Sequence, residues 1–363
     1  MINIIILHIN MYSKLLTFNY NFPKFKSVWL LEIMSFWGVD GFGIISGLFG
    51  YKQYKFSNLI YIWILTLFYS TFLSFYMFFI NNNEKTKKTL ILSFFPLLIK
   101  RHWYVNAYFC MYIFLPFINY GINNLRQKTL RNLILFFIFF FSIYNIIGAI
   151  ILGRINYPFL NDGYSPIWLS ILYILGAYLK KYTLKNNISF FYYILWILIY
   201  LLSSFFSYEI FFILLKNEIK IIPNKIFMNY LSPTIILQSI SLIFIFSRLS
   251  IKNLLIKKII SFFAPLTFST TLIHIRLFND NFKYTRKFLK WISEFKPNYT
   301  FFKIYGIAII IYIICSFIDY LRFLLFKIIK IKELCKFIES KFPVIIDKII
   351  FSIINSRKNF QVN

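Results

Sequence analysis

Charge is scarce in this sequence, and cysteine is scarcer. Charged residues make up 14% of the 363 positions, where a soluble chain carries about 25%. Acids are the rarest charges, 12 against 40 Lys and Arg. There are three cysteines, Cys110, Cys315 and Cys335, and no CxxC pair, which excludes a disulfide framework or a cysteine-based metal site. No P-loop, no dinucleotide glycine pattern, no HExxH and no GxSxG occurs, and no two histidines stand at metal-ligand spacing. Nucleotide hydrolysis and metal chemistry are therefore not expected of these residues. A basic n-region and a small-residue cleavage site are also missing, so the first apolar stretch is expected to stay in the membrane as an anchor.

What the chain has is apolar length. Hydrophobic residues reach 59% and mean hydropathy is +0.68. Apolar stretches of about 18 residues or more cross a hydrocarbon core of about 30 Å as helices, because irregular backbone cannot face lipid. Leu130–Leu152 is apolar on every side, unlike the alternating strands of a barrel. The expected fold class is an all-α polytopic integral membrane protein with about ten transmembrane helices. These are read near 1–18, 35–51, 57–80, 103–121, 130–152, 165–181, 188–208, 231–247, 259–278 and 302–326. Polar or turn-rich stretches at Asn81–Lys88, Asn123–Lys128, Pro158–Gly163 and Pro297–Thr300 separate some of them. The transmembrane domain is read as 1–326, and 327–363 as a basic, amphipathic, interfacial tail.

The net charge of +28 is scattered through the loops rather than gathered in a basic domain. It suits anionic lipid headgroups, and no nucleic-acid partner is expected. Short loops carrying Lys52, Lys55, Arg126, Lys128, Arg131, Lys180, Lys181, Lys185, Arg248, Lys252, Lys257 and Lys258 hold few acids. The positive-inside rule then places them, with both termini, on the cytoplasmic side.

Ionisable residues inside spans are candidate sites, since lipid penalises them. His8 lies mid-span and reads either as a general base or as a packing histidine bonded to a carbonyl. Asp40, Gly43, Gly47 and Gly50 follow at spacings of three, four and three, which puts them on one helical face. Gly43 and Gly47 form a GxxxG for close helix contact. Asp40 then faces the bundle, either capping backbone N–H groups or orienting His8. Trp103, Tyr104, Asn106 and Tyr108 open the fourth span as interfacial aromatics or as a sugar- or acyl-binding wall. His102 reads as solvated at the membrane edge. His274 follows a polar turn of Ser269, Thr270 and Thr271 and reads as a cavity residue, while Arg276 snorkels.

Several segments together resemble the acyltransferase-3 family of membrane O-acyltransferases. They are Gly38-Val-Asp-Gly-Phe-Gly-Ile-Ile-Ser-Gly-Leu-Phe-Gly, Trp103-Tyr-Val-Asn-Ala-Tyr…Leu-Pro-Phe, Gly163-Tyr-Ser-Pro-Ile-Trp, Leu175-Gly-Ala-Tyr, Phe263-Ala-Pro-Leu-Thr-Phe-Ser…Leu-Ile-His and Ile318-Asp-Tyr-Leu-Arg. The resemblance spans most of the chain and implies ten core helices. It also implies transfer of an acyl group, commonly acetyl from acetyl-CoA, to a hydroxyl of a surface polysaccharide or lipid-linked sugar in a bacterial cytoplasmic membrane. His8 stands at the family's catalytic position, as base or as transient acyl carrier. Asp40, Ser46, Trp103, Tyr104, Tyr108 and His274 would bind or orient substrate, and Lys52 and Lys55 would bind the donor. Acyl-CoA is expected as co-substrate, with no bound cofactor and no metal. Two departures stand out. The family has a basic residue about ten positions before the histidine, whereas Met1 is seven before His8, so the first helix is read as truncated. The family's clustered Arg after the second helix is replaced by Lys52 and Lys55. The alternative class is a transporter or flippase of lipid-linked sugars. It would favour paired repeats and intramembrane charges in both halves, and no repeat is apparent.

Overall fold

Apolar sequence on every side of a helix predicts burial or lipid contact, and the long helices follow that rule. The computed structural model describes residues 1–52, 54–80, 84–98, 103–153, 160–184, 190–219, 222–279 and 283–341. His102, Lys185, Pro158 and the tail beyond Lys341 lie outside the described residues. Among the described residues there is no strand. Among the described residues seven helical segments are long and apolar enough to cross a membrane, and Ile2–Tyr12 and Pro233–Phe246 are shorter apolar helices.

The helices are α1 (Ile2–Tyr12), α2 (Phe25–Ile33), α3 (Trp37–Gly50), α4 (Phe56–Ile80), α5 (Glu84–Ser93), α6 (Trp103–Asn124), α7 (Gln127–Ile138) and α8 (Tyr144–Leu152). They continue as α9 (Pro166–Tyr178), α10 (Phe190–Lys216), α11 (Pro233–Phe246), α12 (Leu254–Phe263), α13 (Thr267–Asn279), α14 (Lys283–Ser293) and α15 (Thr300–Ile328). A further helix covers 331–341.

Three departures from the sequence reading have physical reasons. The first helix stops at Tyr12 rather than near residue 18, because the chain turns at Lys14, whose φ is 57°. Helix α2 was not expected: Lys26 and Glu32 interrupt its hydropathy, yet Phe25, Val28, Trp29, Leu31 and Ile33 are buried. It runs into α3 through turns closed by i→i+3 bonds at Ser35, Phe36 and Gly38. Amphipathic α14 also lies between expected spans, and its Leu289 and Ile292 join Ile5, Ile6 and Ile9 of α1 in one apolar cluster.

The described chain forms two compact units. The first holds residues 1–54 and 97–316. Its most extensive packing is α3 on α9, with α10 on α11, α6 on α9 and α1 on α13 around it. Sequence explains the first of these. A Cβ at Gly47 would sit 1.9 Å from the Tyr173 carbonyl oxygen, and one at Gly176 would sit 2.0 Å from the Ile44 carbonyl oxygen. Backbones approach this closely only without side chains between them.

The second unit holds 55–96 and 317–363. Its interior carries a buried ion pair one turn long. Arg322 donates to both Asp319 oxygens at 2.9 and 2.7 Å, Tyr69 donates to Asp319 at 2.6 Å, and Arg322 reaches the Tyr61 hydroxyl at 2.9 Å. These two charges are the Asp and Arg of the Ile318-Asp-Tyr-Leu-Arg segment.

Candidate functional site

Helix α1 and helix α13 cross in the first unit and bring two histidines ring to ring. His8 Nδ1 lies 2.8 Å from His274 Nε2, with ring centroids 5.0 Å apart. His274 Nδ1 lies 2.6 Å from the Thr270 carbonyl oxygen, four residues back on its own helix. A carbonyl only accepts, so His274 Nδ1 carries a proton. In a neutral ring His274 Nε2 is then an acceptor, and His8 Nδ1 must be the donor. That leaves the His8 Nε2 lone pair uncommitted, with no bond to it from the described residues, on a half-buried ring. Thr270 thus sets the tautomer of His274, which sets that of His8. Tyr12 and Phe278 flank the pair, with ring centroids 6.3 Å from His8 and 5.9 Å from His274. A cleft of about 470 Å³ opens near the start of α1, lined by Asn3, Trp37, Tyr200, Thr267, Tyr305 and Tyr312 among others.

Asp40 occupies a second polar centre. It is fully buried, and Trp168 of α9 donates its indole N–H to Oδ1 at 3.3 Å. Local sequence explains how Trp168 arrives there. Gly163 takes φ +91°, with Tyr230 only 2.5 Å from where its Cβ would stand. Ser165 then caps α9 by accepting from Trp168 N–H, with Pro166 at the first turn, a favoured helix start. The Asp40 Oδ2 atom is buried without a partner. The three-four-three spacing predicted one face, and Asp40, Gly43, Gly47 and Gly50 all meet α9.

The aromatic residues from α6 line this centre. Tyr104 meets Phe42 edge-on at 6.5 Å and lies within electrostatic reach of Asp40. Tyr104 and Tyr108 stack at 6.2 Å, and Ser46 bonds the Phe42 carbonyl and reaches the Tyr108 hydroxyl. Trp103 packs on Tyr164 at 4.4 Å and stacks on Tyr230 at 6.0 Å. Asp40, Ser46, Trp103, Tyr104 and Tyr108, chosen from sequence, therefore come together. The expected link from Asp40 to His8 takes another form, since the partner of His8 is His274.

Sequence reasoning passed over a further buried polar group. Glu32 of α2 accepts from Asn10 Nδ2 at 2.8 Å, and both residues are buried. Asn10 Oδ1 has no partner, and neither amide atom of buried Gln238 on α11 has one. Glu32 and Asp40 both lie within electrostatic reach of Tyr230. Lys225, in the loop before α11, sits over the rings of Trp29 and Phe18 at 5.2 and 5.3 Å. Burial pulls its ammonium below the usual lysine range, and the charge of Glu32 opposes that. The available signal was an acid inside the apolar run Val28–Ile33.

Lys52 is exposed, over the Tyr51 ring at 6.0 Å. Lys55 belongs to the second unit, where it lies within electrostatic reach of Glu339. Among the described residues no group of three or more His, Cys, Asp or Glu side chains is placed to hold a metal ion.

Neither the curated proteins nor the solved structures include a match to this chain. A family model described as an acyltransferase domain matches residues 1–320, which takes in the histidine pair, the Asp40 centre and Asp319. The chain belongs to the acyltransferase-3 family and is a membrane acyltransferase.

Proposed function

We propose that this protein moves an acyl group, acetyl in the simplest case, from acyl-CoA to a hydroxyl of a cell-surface polysaccharide or lipid-linked sugar. It would do so in a bacterial cytoplasmic membrane, with the N-terminus on the cytoplasmic side. The observation that carries the reading is the histidine pair, which leaves His8 Nε2 as an available lone pair in the interior of a membrane acyltransferase. As base, Nε2 takes the proton of the acceptor hydroxyl while that oxygen attacks the thioester carbonyl. Collapse of the tetrahedral adduct expels the thiolate, and the proton returns to its sulfur. As nucleophile, the same atom forms an acyl-imidazole and releases the thiol, and the sugar oxygen then attacks that acyl group. Both routes use one atom.

Trp103, Tyr104, Tyr108 and Tyr164 suit a sugar ring, whose C–H faces pack on aromatics. The lone acceptor Asp40 Oδ2 suits a sugar hydroxyl, because a buried polar atom without a partner is costly. Lys52 and Lys55 suit the phosphates of the donor.

The test uses membranes containing the full chain, labelled acetyl-CoA and extraction of glycan. Label on glycan from the unaltered protein, and none from a His8→Ala protein present at equal level, is expected. Equal labelling by both proteins would remove His8 from the chemistry. Flipping of lipid-linked sugar without label transfer would favour the transporter class.

A further inference from the structure

A buried carboxylate is costly unless a cation or several donors balance it. Three acids are buried among the described residues: Glu32, Asp40 and Asp319. Asp319 pairs with Arg322 at 2.7 Å. Glu32 has the Lys225 ammonium within electrostatic reach and a hydrogen bond from Asn10. Asp40 has no such cation among the described residues. Its Oδ1 takes the Trp168 indole N–H at 3.3 Å, a neutral donor, and its Oδ2 has no partner. The chain carries 40 Lys and Arg against 12 acids, so the want of a cation here is local and not a shortage.

What surrounds Asp40 is aromatic. Tyr104 and Tyr230 both lie within electrostatic reach of it. Trp103 stacks on Tyr230 at 6.0 Å, Tyr164 meets Tyr230 at 5.0 Å, and Tyr108 continues the stack from Tyr104. Among the described residues no Lys or Arg lies over any of these five rings; the chain's own cations sit over others, such as Trp29, Phe18 and Phe244. Trp103, Tyr104 and Tyr108 keep part of their surface accessible and Tyr164 is exposed, so a ligand meets the aromatic wall first and Asp40 beyond it. Aromatic faces attract an ammonium group. A hydroxyl would satisfy Oδ2 and leave the charge of Asp40 unbalanced, whereas an ammonium does both.

We propose that Asp40 and the faces of Trp103, Tyr104 and Tyr230 bind a protonated amine, and that the acceptor is therefore an amino sugar rather than a neutral one. That the amine belongs to a sugar rests on the proposed function, whereas the unbalanced carboxylate in its aromatic box does not. A protonated amine has no lone pair, so it anchors the sugar while a hydroxyl of the same sugar receives the acyl group.

Three tetrasaccharides on one β-1,4-glucan backbone separate charge from shape. Cellotetraose carries a hydroxyl at C2, the glucosamine tetramer an ammonium, and its N-acetylated form a neutral amide. Each is titrated calorimetrically into the full chain in phosphatidylcholine nanodiscs at about pH 6, between the carboxyl and amine ranges. The glucosamine tetramer should bind about tenfold more tightly than the other two, and Asp40→Asn, which keeps the shape and removes the charge, should erase that preference. The net charge of +28 repels a cationic sugar, so the surface at large does not supply the preference. If Asp40→Asn does not fold, Tyr104→Leu removes one aromatic face instead and should narrow it. Equal affinity for the three, the result expected of an Asp40 that stays protonated, overturns the proposal. So does an amino form that does not bind, or a preference that the substitution leaves unchanged. Transfer of labelled acetyl to glycan without any amine preference would sink this inference alone, and an amine preference without transfer would sink the catalytic reading alone.

Discussion

His274 accepts a hydrogen bond from His8 across 2.8 Å while Thr270 takes the other nitrogen of His274 at 2.6 Å. The second bond gives the first its direction. In chemical terms His274 is a positioning residue, since it fixes which nitrogen of His8 keeps a free lone pair.

The first prediction separates position from packing. His274→Ala should lower kcat for acyl transfer by roughly a hundredfold, the lower range for losing acid–base function, with KM for acyl-CoA little changed. His274→Gln keeps an acceptor for His8 Nδ1 and should recover part of the loss. Steady-state transfer of labelled acetyl decides it, and equal loss in both variants would show a packing role.

A second prediction concerns the crossing of α3 and α9. Gly47→Ala and Gly176→Ala each push a methyl into a backbone carbonyl. Each should destabilise by about 3 kcal/mol, the upper end for overpacking. Gly121, with nothing within 4 Å of an added Cβ, supplies the control, and Gly121→Ala should leave Tm in detergent unchanged or slightly raised.

A third prediction addresses the buried pair in the second unit. Asp319 and Arg322 side chains are 0% and 3% exposed. Asp319→Leu or Arg322→Met alone leaves a buried charge without its partner and should cost about 3–5 kcal/mol. The double variant should recover much of that loss, because two apolar groups replace two charges. Denaturation of the four proteins closes the cycle, and additive losses would argue against the pair acting as a unit.

A fourth follows from Glu339, whose carboxyl the Ser57 hydroxyl and the Ser57 and Phe56 backbone N–H groups hold below the usual glutamate range. A carboxyl lowered on folding contributes stability above its unfolded pKa, about 4.3 for glutamate, and loses it as pH falls through the lowered folded value. The 331–341 helix should therefore stay docked at neutral pH and loosen only in acid. A nitroxide on Lys341→Cys, in a Cys110→Ser background, should report immobile label at pH 7 and mobile label only once the pH has fallen well below the ordinary glutamate range. Glu339→Gln should remove the pH dependence.

Much of the site was legible because its signals are local. The glycine spacing in α3 placed Asp40 toward a neighbouring helix, and the structure identifies that helix as α9. Tyr104 and Tyr108, one turn apart, share the face expected of them. Glu32 and α2 were less legible, because nine residues broken by a lysine and a glutamate leave no hydropathy signature of a span. What makes α2 a core element is its packing with Tyr208, Phe211 and Met228, which the order of its own residues does not reveal.

By itself the sequence determined a helical membrane protein, the acyltransferase-3 resemblance and a short roster of polar residues that lipid would not accept. Hydropathy and helical period carry that information within a few turns. Tertiary structure decided the partners. His8 and His274 stand 266 positions apart, and Glu339 reaches Phe56 across 283. Only the packing of whole helices sets which side chains meet over such separations, and hydrogen-bond direction then decides which atom is left to react.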